Sequence, residues 1–194
     1  MNRLYWCEIL PELPIPNFSE ALRAHISAKK HPAAHAASLS AWNLLAHALQ
    51  SNGHSQLPQV AFTSTEKPYF IDFPLHFSLA HSENIAAVLL SSAPCAVDVE
   101  MLRPTIEYRL FDRCMHPHEA ESGCDFFDVW TKKECIVKLY GSGLPSHPSN
   151  INTLAIDHPF LTRRITDSAG NAYALSALYT SGEAPEITRI CLQP

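Results

Sequence analysis

The 194-residue sequence lacks three things: a long apolar run, a glycine-rich phosphate loop and an excess of positive charge. Each absence removes a class of protein. No run is long enough to span a bilayer, so a membrane partner is not expected. There are six glycines in all, and none has the Walker or dinucleotide spacing. Ordinary kinases, NTPases and dehydrogenases would therefore lack their phosphate cradle. Lys and Arg number 14 against 19 Asp and Glu, for a formal net charge of −5. A polyanion such as nucleic acid is not the expected partner, and any basic site for a phosphorylated ligand must be local. The start, Met1 to Pro14, has neither the apolar core nor the small-residue cleavage site of a secretory signal. The scattered Cys7, Cys95, Cys114, Cys124, Cys135 and Cys191 are accordingly expected as reduced thiols, and the expected compartment is the cytoplasm.

What remains is ordinary globular composition, 46% hydrophobic and 17% charged, in a length suited to one domain or two small halves sharing a core. Tyr5 to Leu10 reads as a first strand. Ser19 reads as the N-cap of a helix to about Lys30, and a second helix is expected over about Ala33 to Gln50, with the stripe Leu39, Trp42, Leu45, Ala46 and Leu49. His76–Ala80, Ile85–Leu90 and Cys95–Glu100 are strand-like, separated by turn signals. Arg103-Pro104 breaks the pattern. The expected division is an N-terminal lobe, 1–103, and a C-terminal lobe, 104–194. The second lobe reads as a helix near Ile106–Phe111, a His- and Cys-rich loop, a helix from about Asp125 to Tyr140, and strands at Leu161–Thr166, Ala172–Thr180 and Glu186–Leu192. The expected fold class is α+β, two comparable lobes with a site in the cleft between them.

Two constellations carry chemistry. In Cys95-Ala96-Val97-Asp98-Val99-Glu100, strand alternation puts Asp98 and Glu100 on one face and the valines on the other. Unpartnered, two adjacent carboxylates repel. A lysine or arginine would relieve them, and so would a hard cation such as Mg²⁺, which takes one or two carboxylates plus phosphate oxygens and water. In Trp130 to Lys138, a 100° projection places Lys133 within the arc of Phe126, Val129, Trp130, Ile136, Val137 and Tyr140. Glu134 and Lys138, four apart, share the arc's margin. A lysine in an apolar stripe needs a charged partner or a route to water. Together, three carboxylates to hold a metal and two lysines to neutralise phosphate are equipment for cutting a phosphoanhydride. His81, at a strand end, would bind phosphate or cap a turn, and Lys67 lies in a turn upstream. Cys114, His116, His118 and Cys124 offer zinc-type ligands, but without finger-knuckle spacing they read as a polar loop.

Taken in order, Lys67-Pro68, Phe77-Ser78-Leu79-Ala80-His81-Ser82, Val97-Asp98-Val99-Glu100, and Trp130 to Lys138 with Gly141-Ser142-Gly143-Leu144 resemble the motifs of the 4′-phosphopantetheinyl transferase superfamily. The motifs cover about residues 60 to 145. The resemblance implies a two-lobed α+β pseudo-dimer acting as a monomer, with coenzyme A as substrate and an acyl or peptidyl carrier protein as partner. It also implies Mg²⁺, with Mn²⁺ as the alternative, held by Asp98, Glu100 and Glu134. Glu134 would take the proton from the carrier serine, and Lys138 would serve the leaving 3′,5′-ADP. Lys133 and Lys67 would hold the nucleotide end, and His81 the 3′-phosphate. The chain departs from the family pattern at Ala80, at Ala96, and at Ala37, where an arginine often stands and for which Lys29 or Lys30 is the candidate substitute. These departures leave room for a non-catalytic coenzyme A- or carrier-binding relative, and the carboxylates alone would also suit a Mg²⁺-dependent phosphoanhydride hydrolase.

Overall fold

A computed structural model describes residues 1–16 and 18–193. Its first strand, β1 (Asn2–Glu8), is apolar on both faces: Tyr5 and Cys7 join one core cluster, Leu4 and Trp6 another. A strand buried on both sides must lie in the middle of a layered structure. After it come α1 (Glu20–Ser27), α2 (Pro32–Ser51) and the short β2 (Val60–Phe62) and β3 (Pro68–Phe70). Then follow β4 (His76–Ser82), β5 (Ile85–Ser91), β6 (Cys95–Met101), α3 (Tyr108–Cys114), α4 (Pro117–Glu121) and α5 (Phe126–Tyr140). Two 3-10 turns at Pro148–Asn150 and Thr153–Ala155 lead into β7 (Phe160–Thr166), β8 (Ala172–Tyr179) and β9 (Glu186–Arg189).

The strands form one sheet in the order β4-β5-β1-β9 and another in the order β6-β8-β7, with β2 and β3 as a separate hairpin. The change of sheet falls between β5 and β6, and β9 returns to the first sheet to lie parallel to β1. Leu4, Trp6, Ile85 and Leu89 of the first sheet pack on Val97, Val99, Tyr173 and Leu175 of the second. On the outer face of the first sheet, Trp42, Leu45 and Leu49 of α2 cover Tyr5, Phe77, Val88 and Leu90. On the outer face of the second, Cys135 and Ile136 of α5 cover Ala96 and Leu178. The result is a helix–sheet–sheet–helix stack, an α+β fold. Burial of each large apolar side chain at these seams contributes roughly 1.5–3 kcal/mol.

The expected elements are present with shifted ends. β1 starts at Asn2, not Tyr5, because its ladder with β5 runs out to Asn2 opposite Ser91. The helix read near Ile106–Phe111 starts two residues later and reaches Cys114. Ser19 caps α1, its Oγ accepting from Leu22 N at 3.3 Å, and Asp125 caps α5. The turn expected around Lys67 is the turn of the β2–β3 hairpin, whose strands are too short for their alternation to stand out.

One seam positions the site. β4 and β6 are edge strands of different sheets that run side by side without a backbone ladder. Serine hydroxyls take the ladder's place: Val97 N donates to Ser78 Oγ at 3.1 Å and Met101 N to Ser82 Oγ at 3.2 Å. Otherwise these edge amides would be buried without acceptors, a loss comparable to a missing hydrogen bond.

Candidate active site

Alternation along β6 sends Ala96, Asp98 and Glu100 toward the α5 side, opposite the valines buried between the sheets. Asp98 is 8% exposed. Glu100 is more open, accepts from Ser82 Oγ at 3.2 Å and lies 3.8 Å from Arg103. From α5, Lys138 donates to Asp98 Oδ1 at 2.6 Å and to Val97 O at 3.1 Å. Glu134, one turn earlier on the same helix face, lines the cavity beside them.

The electrostatics show what this crowding costs. Burial raises the pKa of Glu134, Asp98 and Glu100 raise it further, and Lys138 only partly opposes them. Glu100 is raised by burial and by Asp98, against its hydrogen bond from Ser82. Burial disfavours the charged form of Lys138, but the Asp98 carboxylate outweighs it, so Lys138 is held cationic. Three mutually repelling carboxylates served by one close ammonium leave negative charge uncompensated.

This donor set is the hard oxygen type that suits Mg²⁺ or Mn²⁺, and a divalent cation would relieve the repulsion. The three do not form a ready cage: among the described residues, no group of three or more His, Cys, Asp or Glu is arranged to hold a metal ion. Lys138 occupies Asp98 instead, so a cation would have to share or displace that contact.

Three cavities meet around these groups. One of about 370 Å³ is lined by Lys67, Pro68, Ser78, Glu134, Lys138 and Gly143, among others. Lys67 donates to Leu139 O at 2.9 Å, at the C-terminus of α5, and burial lowers its pKa. Gly141 ends α5 in the left-handed conformation, φ 65°, which a side chain would strain. A second cavity, about 320 Å³, gathers His25, Lys29, His81 and Lys138 over Trp42. Desolvation and then the ammonium groups of Lys138 and Lys29 lower the pKa of His81, and desolvation and Lys29 lower that of His25. Two ammonium groups beside histidines that an incoming negative charge would help to protonate make a site for an anion. Lys29, one of the two lysines expected to stand in for an arginine at Ala37, lines this cavity. The third cavity, about 370 Å³, runs from Glu100 and Arg103 over Ile106, Leu110, Phe126 and Trp130.

Of the residues singled out in the sequence, Asp98, Glu100, Glu134, Lys138, Lys67 and His81 come to this junction. Lys133 does not, which corrects its expected place at the nucleotide end. Lys133 is fully buried, 2.7 Å from Glu119 Oε2, and also donates to Cys114 O and Pro148 O. All three of its protons are used, and none faces a ligand. Its position inside the apolar arc was a legible sign of a buried partner, but that partner, Glu119, lies outside every motif. His25, 56 residues from His81, carried no sequence signal. The His-rich loop works locally: His116 Nδ1 accepts from His118 N at 3.2 Å, and Glu119 Oε2 from His116 N at 2.9 Å, which caps α4.

Residues 94–187 match the family model described as the 4′-phosphopantetheinyl transferase superfamily. The chain is 31% identical over 110 residues to the 4′-phosphopantetheinyl transferase AcpT of Escherichia coli (strain K12), covering 50% of this chain and 56% of that protein. It is 29% identical over 84 residues to the 4′-phosphopantetheinyl transferase gsp of Aneurinibacillus migulanus, covering 39% and 35%. With psf-1 of Bacillus pumilus it shares 26% over 136 residues, 64% and 58%. The matched stretches thus span 35% to 58% of these relatives' own lengths.

Proposed function

With residues 94–187 belonging to the 4′-phosphopantetheinyl transferase superfamily, we propose that this chain transfers the 4′-phosphopantetheine arm of coenzyme A to a serine of an acyl or peptidyl carrier protein. The observation that carries this reading is one junction: Glu134 and the Asp98–Lys138 pair lie where the Lys67 cavity meets the cationic one.

Coenzyme A fits the two cavities by charge. Lys29, His25 and His81 would hold the 3′-phosphate, Lys67 and Pro68 would line the nucleotide end, and Lys138, shared by both cavities, would face the diphosphate. Asp98, Glu100 and Glu134 would hold Mg²⁺, or Mn²⁺, which when bound supplies charge neutralisation to the diphosphate. Glu134, whose pKa burial and Asp98 raise, is a stronger base than a free carboxylate and would take the acceptor serine's proton. The serine oxygen forms a bond to the β-phosphorus as the bond from that phosphorus to the bridging oxygen breaks. The electron pair stays on the departing 3′,5′-ADP, whose new charge Lys138 meets as a fixed cation. The acceptor would approach over the third cavity, which Glu100 links to the reacting centre. Among the described residues no helix is long and apolar enough to cross a membrane, and we place the activity in the cytoplasm with the protein as a monomer.

The test is intact-mass analysis of an apo acyl carrier protein, and separately a peptidyl carrier domain, incubated with the protein, coenzyme A and Mg²⁺. A gain of one phosphopantetheine, lost on adding a chelator, is expected. No gain on either acceptor overturns the reading. Binding of coenzyme A without transfer would then mark a binding protein, and release of 3′,5′-ADP without acceptor a hydrolase.

A further inference from the structure

We infer that the buried Glu119–Lys133 ion pair is a positioning device for the reaction, setting the placement of α5 so that Glu134 and Lys138 meet β6. This inference rests on the proposed transfer reaction. Both side chains are fully buried and 2.7 Å apart. Lys133 Nζ also donates to Cys114 O, at the end of α3, and to Pro148 O, in the first 3-10 turn. Glu119 Oε1 accepts from both Thr153 N and Thr153 Oγ1 at 2.7 Å, and its Oε2 also accepts from His116 N. One ion pair thereby fastens α5 to α3, α4 and both 3-10 turns, with every polar atom of the pair satisfied.

Its place on the helix gives it leverage. Lys133 directly precedes Glu134, about 100° around the axis, while Glu134 and Lys138 lie about 40° apart. A small roll of α5 about its axis therefore moves Glu134 and Lys138 together relative to Asp98, which Lys138 contacts at 2.6 Å. The apolar contacts of α5, Ile136 on Leu178 and Phe127 near Ala174 among them, are non-directional and tolerate such a roll. Directional bonds do not. Thr131, whose Oγ1 lies 2.7 Å from Ser176 Oγ on β8, holds the helix on its sheet side, and Lys133 holds it on the flank. Replacing a buried ion pair by neutral groups of similar volume is often harmless to stability. Stability alone therefore gives little reason for a charged pair here, whereas a fixed geometry does.

The test compares variants by turnover per folded molecule and by KM for coenzyme A. In Lys133→Met with Glu119→Gln no orphan charge remains. This pair is expected to fold, with kcat down about tenfold or more and KM for coenzyme A within about twofold, as for a misplaced reacting group. Glu119→Asp alone keeps the charge but shortens the arm. It is expected to lower kcat, and adding the longer Lys133→Arg is expected to restore much of the loss. A folded neutral pair with wild-type kcat overturns the inference. If the neutral pair does not fold, the aspartate series decides alone: wild-type kcat in Glu119→Asp, or no recovery with Lys133→Arg, overturns it. A wild-type protein that transfers nothing overturns the transfer reading, and the inference with it, and so is distinguishable from an active wild type whose variants are unaffected.

Discussion

Lys138 and Asp98 come from adjacent layers, the outer helix and the sheet beneath it, and Nζ lies 2.6 Å from Oδ1 and also bonds Val97 O. The contact joins the two motifs that the sequence keeps 40 residues apart. It also means that Asp98 is not a free surface carboxylate awaiting a metal. Its environment already contains a cation, which opposes but does not overcome the upward push of burial on its pKa.

Lys138→Met is therefore expected to do two things. It removes the fixed positive charge facing the diphosphate, and loss of one such preorganised group lowers turnover by about 10²-fold or more. It also leaves Asp98 buried without its ammonium, so the variant should melt below the wild type. Mass-spectrometric turnover and thermal unfolding check the two effects. Unchanged turnover would remove Lys138 from the reacting centre.

Glu134 and Glu100 have raised pKa values, so folding favours their protonated forms. Any stability they contribute is present below their unfolded values and is lost as pH rises through the folded ones. Mg²⁺ should then raise the melting temperature at neutral pH and lose that effect toward pH 4, in the absence of any coenzyme A. In Glu134→Gln the Mg²⁺ shift should shrink. An equal shift in this variant would take Glu134 out of the cation's shell.

His25 and His81 are both lowered below 6.5, so at neutral pH they are uncharged, and a phosphate entering their cavity should draw in protons. Calorimetry of coenzyme A binding in buffers of different ionisation heat should show proton uptake near neutral pH, and affinity should rise as pH falls. His81→Ala and Lys29→Ala should weaken coenzyme A but spare 3′-dephospho-coenzyme A. Equal losses for both ligands would place the 3′-phosphate elsewhere.

Lys133→Met alone, unlike the neutral pair, strands Glu119. Removing one partner of a fully buried ion pair costs about 3–5 kcal/mol, measurable by urea unfolding. For Glu119, burial pulls its pKa upward, but the bonds from Lys133, Thr153 and His116 win and lower it below 4.5. A lowered carboxylate stabilises above its unfolded value and loses that contribution as pH falls. The wild type should accordingly lose stability through the acid range more steeply than Lys133→Met with Glu119→Gln.

Leu110, 44% exposed at the rim of the third cavity, should tolerate Leu110→Asp without loss of fold. If the acceptor docks there, KM for the carrier protein rises while KM for coenzyme A stays put. A change in the coenzyme A constant alone would assign that cavity to the other substrate.

Period and spacing alone placed the carboxylates of Asp98 and Glu100 on one strand face and Glu134 beside Lys138 on one helix face, because the backbone period decides which side chains are neighbours within an element. The α+β class and most elements were legible for the same reason, and the order of the motifs pointed to the family. Which elements face each other was not written locally. Ser78 and Ser82 standing in for a ladder between two sheets, Lys29 and His25 converging on His81, and Glu119 claiming Lys133 all depend on how the layers stack. Lys133 makes the distinction plain. Its place in an apolar arc determined that it would be buried or snorkel, but a lysine's bonds are chosen by whatever the neighbouring layer presents. Here that was a carboxylate and two carbonyls rather than a substrate's phosphate.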